Sequence, residues 1–181
     1  MAKDTETTKI SKFISLALRH HPEAAGIKLD SGGYADTDSL IRGVARKFRG
    51  FDMKLLERIV AEDEKKRYSF NEDKTKIRAN QGHSVPGVDL GLAEKIPPDI
   101  LYHGTAERFM PAIRAEGIRK MSRQYVHLSA DVQTAEKVGI RHGKPFIITI
   151  DAAKMHMDGY KFFLSENGVW LTENVPSEYF I

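Results

Sequence analysis

Arg67-Tyr68-Ser69-Phe70-Asn71-Glu72-Asp73-Lys74-Thr75-Lys76-Ile77-Arg78-Ala79 reads as a strand, a polar turn and a returning strand. Alternation at period two puts Tyr68 and Phe70 on one face and Arg67 and Ser69 on the other, so Arg67 is expected to point away from the local core. Upstream, three helices are predicted. Ile10, Phe13, Ile14, Ala17 and Leu18 recur at three- and four-residue spacing and predict a helix from about Thr8, ended by His21-Pro22. Asp36 to Lys47 follows, with Asp36, Thr37 or Asp38 as cap and Leu40, Ile41, Val44 and Phe48 inward. A third helix starts after Asp52 and turns Met53, Leu55, Leu56, Ile59 and Val60 inward. The charged run Glu62-Asp63-Glu64-Lys65-Lys66 is expected to be a solvated helix end. Three helices and a hairpin, in that order, predict a winged-helix lobe, a shape that often touches nucleic-acid phosphates.

Downstream, Gln81 to Asp99 changes texture, with Gly82, Pro86, Gly87, Gly91, Pro97 and Pro98 and little periodicity. The expected organisation is therefore a lobe over 1–85, a linker over 86–99 and a second lobe over 100–181. In the second lobe the pattern predicts strands at Ile100–His103, Tyr125–Ser129, Phe146–Ile150, Tyr160–Leu164 and Val169–Thr172, and helices at Met110–Glu116 and Asp131–Val138. The last two strands flank Ser165-Glu166-Asn167-Gly168, whose Asn-Gly is a hairpin signal. Many short strands with few helices make this an α+β lobe, and the chain as a whole an α+β protein.

The composition narrows the classes further. The 181 residues carry a net charge of +3, are 41% hydrophobic and contain no cysteine, which excludes disulfides and thiolate metal sites. Met1-Ala2-Lys3-Asp4-Thr5-Glu6 lacks the apolar stretch of a signal peptide, and no apolar run is long enough to cross a bilayer, so a cytoplasmic protein without a membrane partner is expected. Residues 1–85 hold 17 Lys and Arg against 13 Asp and Glu, a balance of +4, whereas the remainder hold 11 against 12, a balance of −1. The first lobe is thus the expected face for a phosphate-rich partner.

Among the seven histidines no pair has the four-residue helical spacing of a zinc helix, so no metal is expected. There is no phosphate loop ending in Gly-Lys-Ser/Thr and no Gly-x-Ser-x-Gly nucleophile elbow. Polar clusters remain at Gln81-Gly82-His83-Ser84, His103-Gly104-Thr105, His127-Leu128-Ser129 and Gly139-Ile140-Arg141-His142-Gly143. Arginine is the chemical theme. Arg19, Arg67 and Arg141 come from three separate elements, and a planar guanidinium suits two-point contact with phosphate oxygens. From the residues alone this predicts a phosphate-handling cleft between two lobes. A competing account of Arg19 and His20 is simpler: cations in a last helical turn are favoured by the negative end of the helix dipole.

Longer motifs carry a resemblance. Ser11-Lys12-Phe13 through Leu18-Arg19-His20, Gly33 to Asp38, Arg67-Tyr68-Ser69-Phe70-Asn71, Lys76-Ile77-Arg78-Ala79-Asn80-Gln81-Gly82-His83-Ser84, Leu101-Tyr102-His103-Gly104-Thr105, Met121-Ser122-Arg123, Val126-His127-Leu128-Ser129, and Asp158-Gly159-Tyr160 with Gly168-Val169-Trp170-Leu171-Thr172 resemble, in order and over nearly the whole chain, the RNA 2′-phosphotransferase (KptA) family. The resemblance implies a winged-helix RNA lobe followed by an NAD⁺ lobe with an ADP-ribosyltransferase-like split β-sheet. It implies removal of an internal 2′-phosphate from RNA, as at a tRNA splice junction, with NAD⁺ consumed. First, a 2′-phosphate oxygen attacks C1″ of the nicotinamide ribose and nicotinamide leaves. Then O2″ attacks phosphorus, and the products are 2′-OH RNA and ADP-ribose 1″,2″-cyclic phosphate.

The family's catalytic quartet falls on Arg19, His20, Arg67 and Arg141. Arg19 and Arg67 would clamp the 2′-phosphate, Arg141 would stabilise the phosphoryl transition state, and His20 would contact phosphate or shuttle a proton. NAD⁺ contacts are expected from His103, Gly104, Thr105, His127 and Ser129, and further RNA contacts from Arg78 and His83. Val169 occupies the signature position where protein-modifying relatives carry a glutamate, which disfavours protein ADP-ribosylation. Tyr68, Phe70, Leu128 and Trp170 are expected in the core, and His21 and His142 in solvent. The partners implied are RNA bearing a 2′-phosphate and NAD⁺, the state a monomer. Two rivals stay open: an enzyme that ADP-ribosylates terminal phosphates of RNA or DNA, and a non-catalytic winged-helix nucleic-acid binder.

Overall fold

The computed structural model describes residues 2–181, and the chain forms two compact units, one ending at Gly91 and one running from Leu92 to Ile181. In the first, helix α1 (Ala2–Arg19) is followed by a 3₁₀ turn (Pro22–Ala25), strand β1 (Tyr34–Asp36), helices α2 (Thr37–Ala45) and α3 (Met53–Ala61), and strands β2 (Tyr68–Phe70) and β3 (Lys76–Ala79). Helix α1 begins earlier than Thr8, because its first turns carry no apolar stripe and the periodicity that announces it starts only at Ile10. Asp36 and Asp52 cap α2 and α3 by accepting the amides of Ser39 and Leu55 at 2.7 and 2.8 Å. Strand β3 is central in an antiparallel sheet ordered β1-β3-β2, with Tyr34 opposite Arg78 and Ser69 opposite Arg78 on the other side. Strand β1 is three residues long and exists through its pairing with β3, which no local periodicity foretells.

The core of this unit joins Ile14, Leu18, Leu40, Leu56 and Ile77, all with no exposed surface. Truncating any one to alanine would cost about 2–5 kcal/mol. Tyr68 is buried and Phe70 packs against the same cluster. The expectation of a solvated run at 62–66 needs one correction: Glu62, Glu64, Lys65 and Lys66 are exposed, but the Asp63 side chain is only 7% exposed and turns inward to Arg67.

The second unit contains β4 (Ile100–Ala106), α4 (Met110–Glu116), β5 (Ile118–Arg119), β6 (Val126–Leu128), α5 (Val132–Gly139), β7 (Pro145–Asp151), α6 (Ala152–Met157), β8 (Phe163–Leu164), β9 (Trp170–Thr172) and β10 (Asn174–Val175). Strands β4 and β7 form a seven-residue antiparallel ladder, β6-β9-β8 a three-stranded sheet, and β10-β5 a pair. Reciprocal backbone bonds between Tyr102 and Ser129 (2.9 and 2.8 Å) stitch β4 to the end of β6. The Ser165–Val169 turn closes the β8–β9 hairpin, with the Ser165 amide donating to the Val169 carbonyl at 3.0 Å. Leu128 is buried and Trp170 packs on the core around Leu101, Ile150 and Phe162. Helix α6 was not foreseen, although Asp151 caps it by accepting the Lys154 amide at 2.9 Å.

Helix α5 lies directly on β4. A Cβ on Gly104 would sit 1.7 Å from the Ala135 carbonyl oxygen, and one on Gly139 2.7 Å from that of Thr105. Only glycine permits this approach of two backbones.

Candidate active-site residues in each unit

Arg19 is the last residue of α1, and His20 follows in a turn whose amides at 20 and 21 both reach the Leu16 carbonyl at 2.9 Å. A helix end repels anions, so a phosphate site here needs an offset. The chain supplies one. The Ser84 amide donates to the Arg19 carbonyl at 2.9 Å, and the Ser84 hydroxyl meets His20 Nδ1, also at 2.9 Å. Segment 82–84 reaches this position because Gly82 adopts φ +85°, bringing its backbone over the Arg19 side chain.

Close to the pair lies His83, which has no exposed surface; a Cβ on Gly33 would stand 3.2 Å from its Nε2, with Val88 and Leu90 at 3.0 and 3.4 Å from that same Cβ. Burial first, then the charges of Arg19, His20 and Arg78, push its pKa down to about 4, so the ring is neutral at pH 7. His83, expected as an RNA contact, presents no exposed surface in this structure. Arg78 is half-buried and stacks over the Tyr34 ring at 4.7 Å. The structure thus brings Arg19, His20, Arg78, His83 and Ser84 together in one unit. Positive charge is concentrated at the end of α1 around an imidazole that adds none.

Arg67 lies one residue before β2, its side chain 31% exposed and ion-paired through Nη1 to Asp63 Oδ1. The Arg67 amide also donates to Asp63 Oδ2 at 2.6 Å. Arg67 and Asp63 line a cavity of about 370 Å³ whose α1 wall includes Thr7, Ser11 and Ser15. These residues sit at four-residue intervals, and Arg19 is the next member of the series, on the same helix face one turn further on.

In the second unit His103 and His127 face each other from β4 and β6. His103 Nδ1 lies 3.0 Å from the His127 carbonyl oxygen, which can only accept, so Nδ1 carries the proton and Nε2 presents a lone pair. Burial lowers the His103 pKa, outweighing that hydrogen bond, and Arg123 and His142 lower it further. The Arg123 guanidinium donates to His127 Nδ1 at 3.4 Å. Ser129 is half-buried, its backbone bonded to Tyr102. Gly104 and Thr105, both expected as NAD⁺ contacts, are buried beneath α5, with Thr105 only 6% exposed. Arg141 stands exposed on the 3₁₀ turn Ile140–His142 that follows α5, beside exposed His142. His21 is exposed and meets Glu23 at 2.8 Å.

Sequence reading assigned no role to Asp63, Ser84 or Arg123. Ser84 lay inside a polar cluster and Arg123 inside a quoted motif, but Asp63 was hidden in a charged run.

A family model described as "RNA 2'-phosphotransferase, Tpt1 / KptA family" matches residues 5–174. The chain belongs to this family. Relatives of the RNA 2′-phosphotransferase family agree along nearly their full length. A protein of Fusobacterium nucleatum named probable RNA 2′-phosphotransferase is 57% identical over 172 residues, covering 94% of this chain and 96% of the relative. A protein of the same name from Flavobacterium johnsoniae is 55% identical over 170 residues, covering 94% and 93%. One from Rhodopirellula baltica is 48% identical over 179 residues, covering 99% and 97%. RNA 2′-phosphotransferases are an enzyme family, and the matched region takes in most of both units described above.

Proposed function

We propose that this enzyme removes an internal 2′-phosphate from RNA and transfers it to NAD⁺, yielding 2′-OH RNA, nicotinamide and ADP-ribose 1″,2″-cyclic phosphate. The observation that carries the reading is the gathering of the Arg19 and Arg78 guanidinium groups and the His20 ring beside neutral His83, in a chain of this family. The first unit is read as the winged-helix RNA lobe and the second as the ADP-ribosyltransferase-like NAD⁺ lobe of a monomeric, cytoplasmic enzyme.

A phosphate monoester carries close to two negative charges at neutral pH, its second pKa being about 6, so it attacks without a general base. Nicotinamide leaves as a neutral molecule, so that step needs no acid. What the protein must supply is position and charge neutralisation. Arg19 and Arg67 hold the phosphate oxygens as guanidinium forks. His20, whose Nδ1 is fixed by Ser84, is the group of the quartet with an intrinsic pKa near neutrality, and it takes the proton released by O2″ in the second step. Arg141 stabilises the phosphoryl oxygens in that step.

His103 suits NAD⁺ for a separate reason. Its neutral ring offers Nε2 as an acceptor to a ribose hydroxyl and does not repel the positive nicotinamide ring. His127, Ser129 and the backbone of Gly104 and Thr105 complete that side.

The test is a synthetic RNA with one internal 2′-phosphate, incubated with NAD⁺, with products separated and identified. Nicotinamide should appear only with the 2′-phosphorylated strand. Arg141→Ala should slow the second step about 100-fold and accumulate RNA joined to ADP-ribose through its 2′-phosphate. If Arg141→Ala left both steps at wild-type rates, its assigned role would be wrong. Modification of a 5′-monophosphorylated strand lacking a 2′-phosphate, with no turnover of the 2′-phosphate, would instead favour a terminal-phosphate ADP-ribosyltransferase.

A further inference from the structure

Arg67 is held at both ends of its own residue by a single carboxylate. Asp63 Oδ2 accepts the Arg67 backbone amide at 2.6 Å while Oδ1 pairs with guanidinium Nη1. The geometry depends on a tight turn: the Lys66 amide donates to the Asp63 carbonyl at 2.7 Å, and Lys66 takes φ +43°, a left-handed conformation uncommon for a residue with a side chain. From the other side Asn80 braces the same turn. Its amide donates to the Arg67 carbonyl at 2.8 Å and its Nδ2 to the Lys66 carbonyl at 2.7 Å.

We propose that Asp63 is the positioning residue for Arg67 in recognition of the 2′-phosphate. The inference rests on the reading of Arg67 as a phosphate clamp given above. An arginine side chain has several rotatable bonds, and each must be frozen before a planar two-point contact forms. Closing a ring through one carboxylate freezes them in advance. Oδ1 occupies Nη1, so the remaining N–H groups of the fork stay available to a ligand, and Arg67 lines the cavity beside Ser11, Lys12 and Ser15. The buried side chain of Asp63 is accounted for by this task. A carboxylate serving only as a solvated helix end would stand in water like Glu62 and Glu64 beside it.

The test is the ratio of affinities for two RNA oligonucleotides of one sequence, with and without the 2′-phosphate, measured at fixed ionic strength without NAD⁺. General loss of fold weakens both strands alike, whereas loss of the clamp lowers the ratio. Arg67→Ala should remove most of the discrimination. Asp63→Ala should lower the ratio at least 10-fold. Asp63→Asn keeps one oxygen acceptor but cannot serve both amide and guanidinium, and should lower it about threefold. In the Arg67→Ala background neither change should lower it further. A wild-type ratio in Asp63→Asn, or the same loss persisting in the Arg67→Ala background, overturns the proposal; if Asp63→Ala does not fold, these two outcomes decide it. Failure of the underlying reading looks different: the wild-type protein would not discriminate, or Arg67→Ala would discriminate as well as wild type.

Discussion

At the end of α1, Arg19, His20 and Arg78 surround a buried imidazole that stays neutral, and one hydroxyl, Ser84, fixes His20. Along β4 and β6, His103 is also neutral, but a backbone carbonyl fixes its tautomer and its free edge is an acceptor. Both places use burial to keep a histidine uncharged. In the first, neutrality lets cations crowd together without adding one more. In the second it provides a lone pair. The difference suits the two ligands of the proposed reaction, a dianionic phosphate and a sugar attached to a cationic ring. In the proposed reaction, two histidines that burial holds neutral take opposite tasks from their neighbours.

The largest expected effect breaks the second region alone. Gly104→Ala places a Cβ 1.7 Å from a backbone carbonyl, and nothing flexible is there to yield, so it should cost about 4 kcal/mol or more in urea unfolding. A loss under about 1 kcal/mol would mean that α5 can lift from β4. Next comes Arg19→Ala, which removes a guanidinium from the charge cluster. It should lower kcat/KM for 2′-phosphorylated RNA about 1,000-fold, roughly 4 kcal/mol, with little change in thermal stability.

His83 sharpens the comparison through pH. Its folded pKa of about 4 lies below the ordinary 6.5, so between those values the unfolded chain binds the extra proton and stability falls as pH falls. That contribution is complete above about pH 6.5 and amounts to no more than about 3 kcal/mol. Thermal melts from pH 7 to 4 should show His83→Gln losing less stability than wild type over this window. His103 titrates in the same direction in both proteins and cancels in the difference. Parallel curves would show that the buried ring carries no proton penalty.

The smallest effect concerns Ser84→Ala. His20 loses its hydroxyl partner but Arg19 keeps the Ser84 amide, so kcat/KM should drop about fivefold, roughly 1 kcal/mol, with a shifted pH profile. An unchanged profile would detach Ser84 from the proton role of His20.

Much of the architecture was legible because it is locally written. Asp36 and Asp52 cap the helices that apolar stripes predict, Asp131 caps the helix expected over Asp131–Val138, and Asn167-Gly168 marks its hairpin. Strands β1, β5 and β10 have two or three residues each and exist only through distant partners, so no periodicity could announce them. The same limit applies to side chains. His83 looks like a surface residue in Gln81-Gly82-His83-Ser84, and its burial depends on Gly33, some fifty positions upstream. Asp63 looks solvated among five charges, and one left-handed residue at Lys66 turns it inward. Arg19, His20, Arg67 and Arg141 stand out as candidates in the sequence, but Ser84, which meets His20, and Asp63, which holds Arg67, take those places only through the fold.

The most direct measurement is the stoichiometry of nicotinamide released per 2′-phosphate lost, on paired RNA strands that differ only in that phosphate. One nicotinamide per phosphate removed, with none from the 2′-OH strand, is the result the proposed reaction predicts. Nicotinamide release at equal rates from both strands, or loss of the 2′-phosphate without NAD⁺, would contradict it.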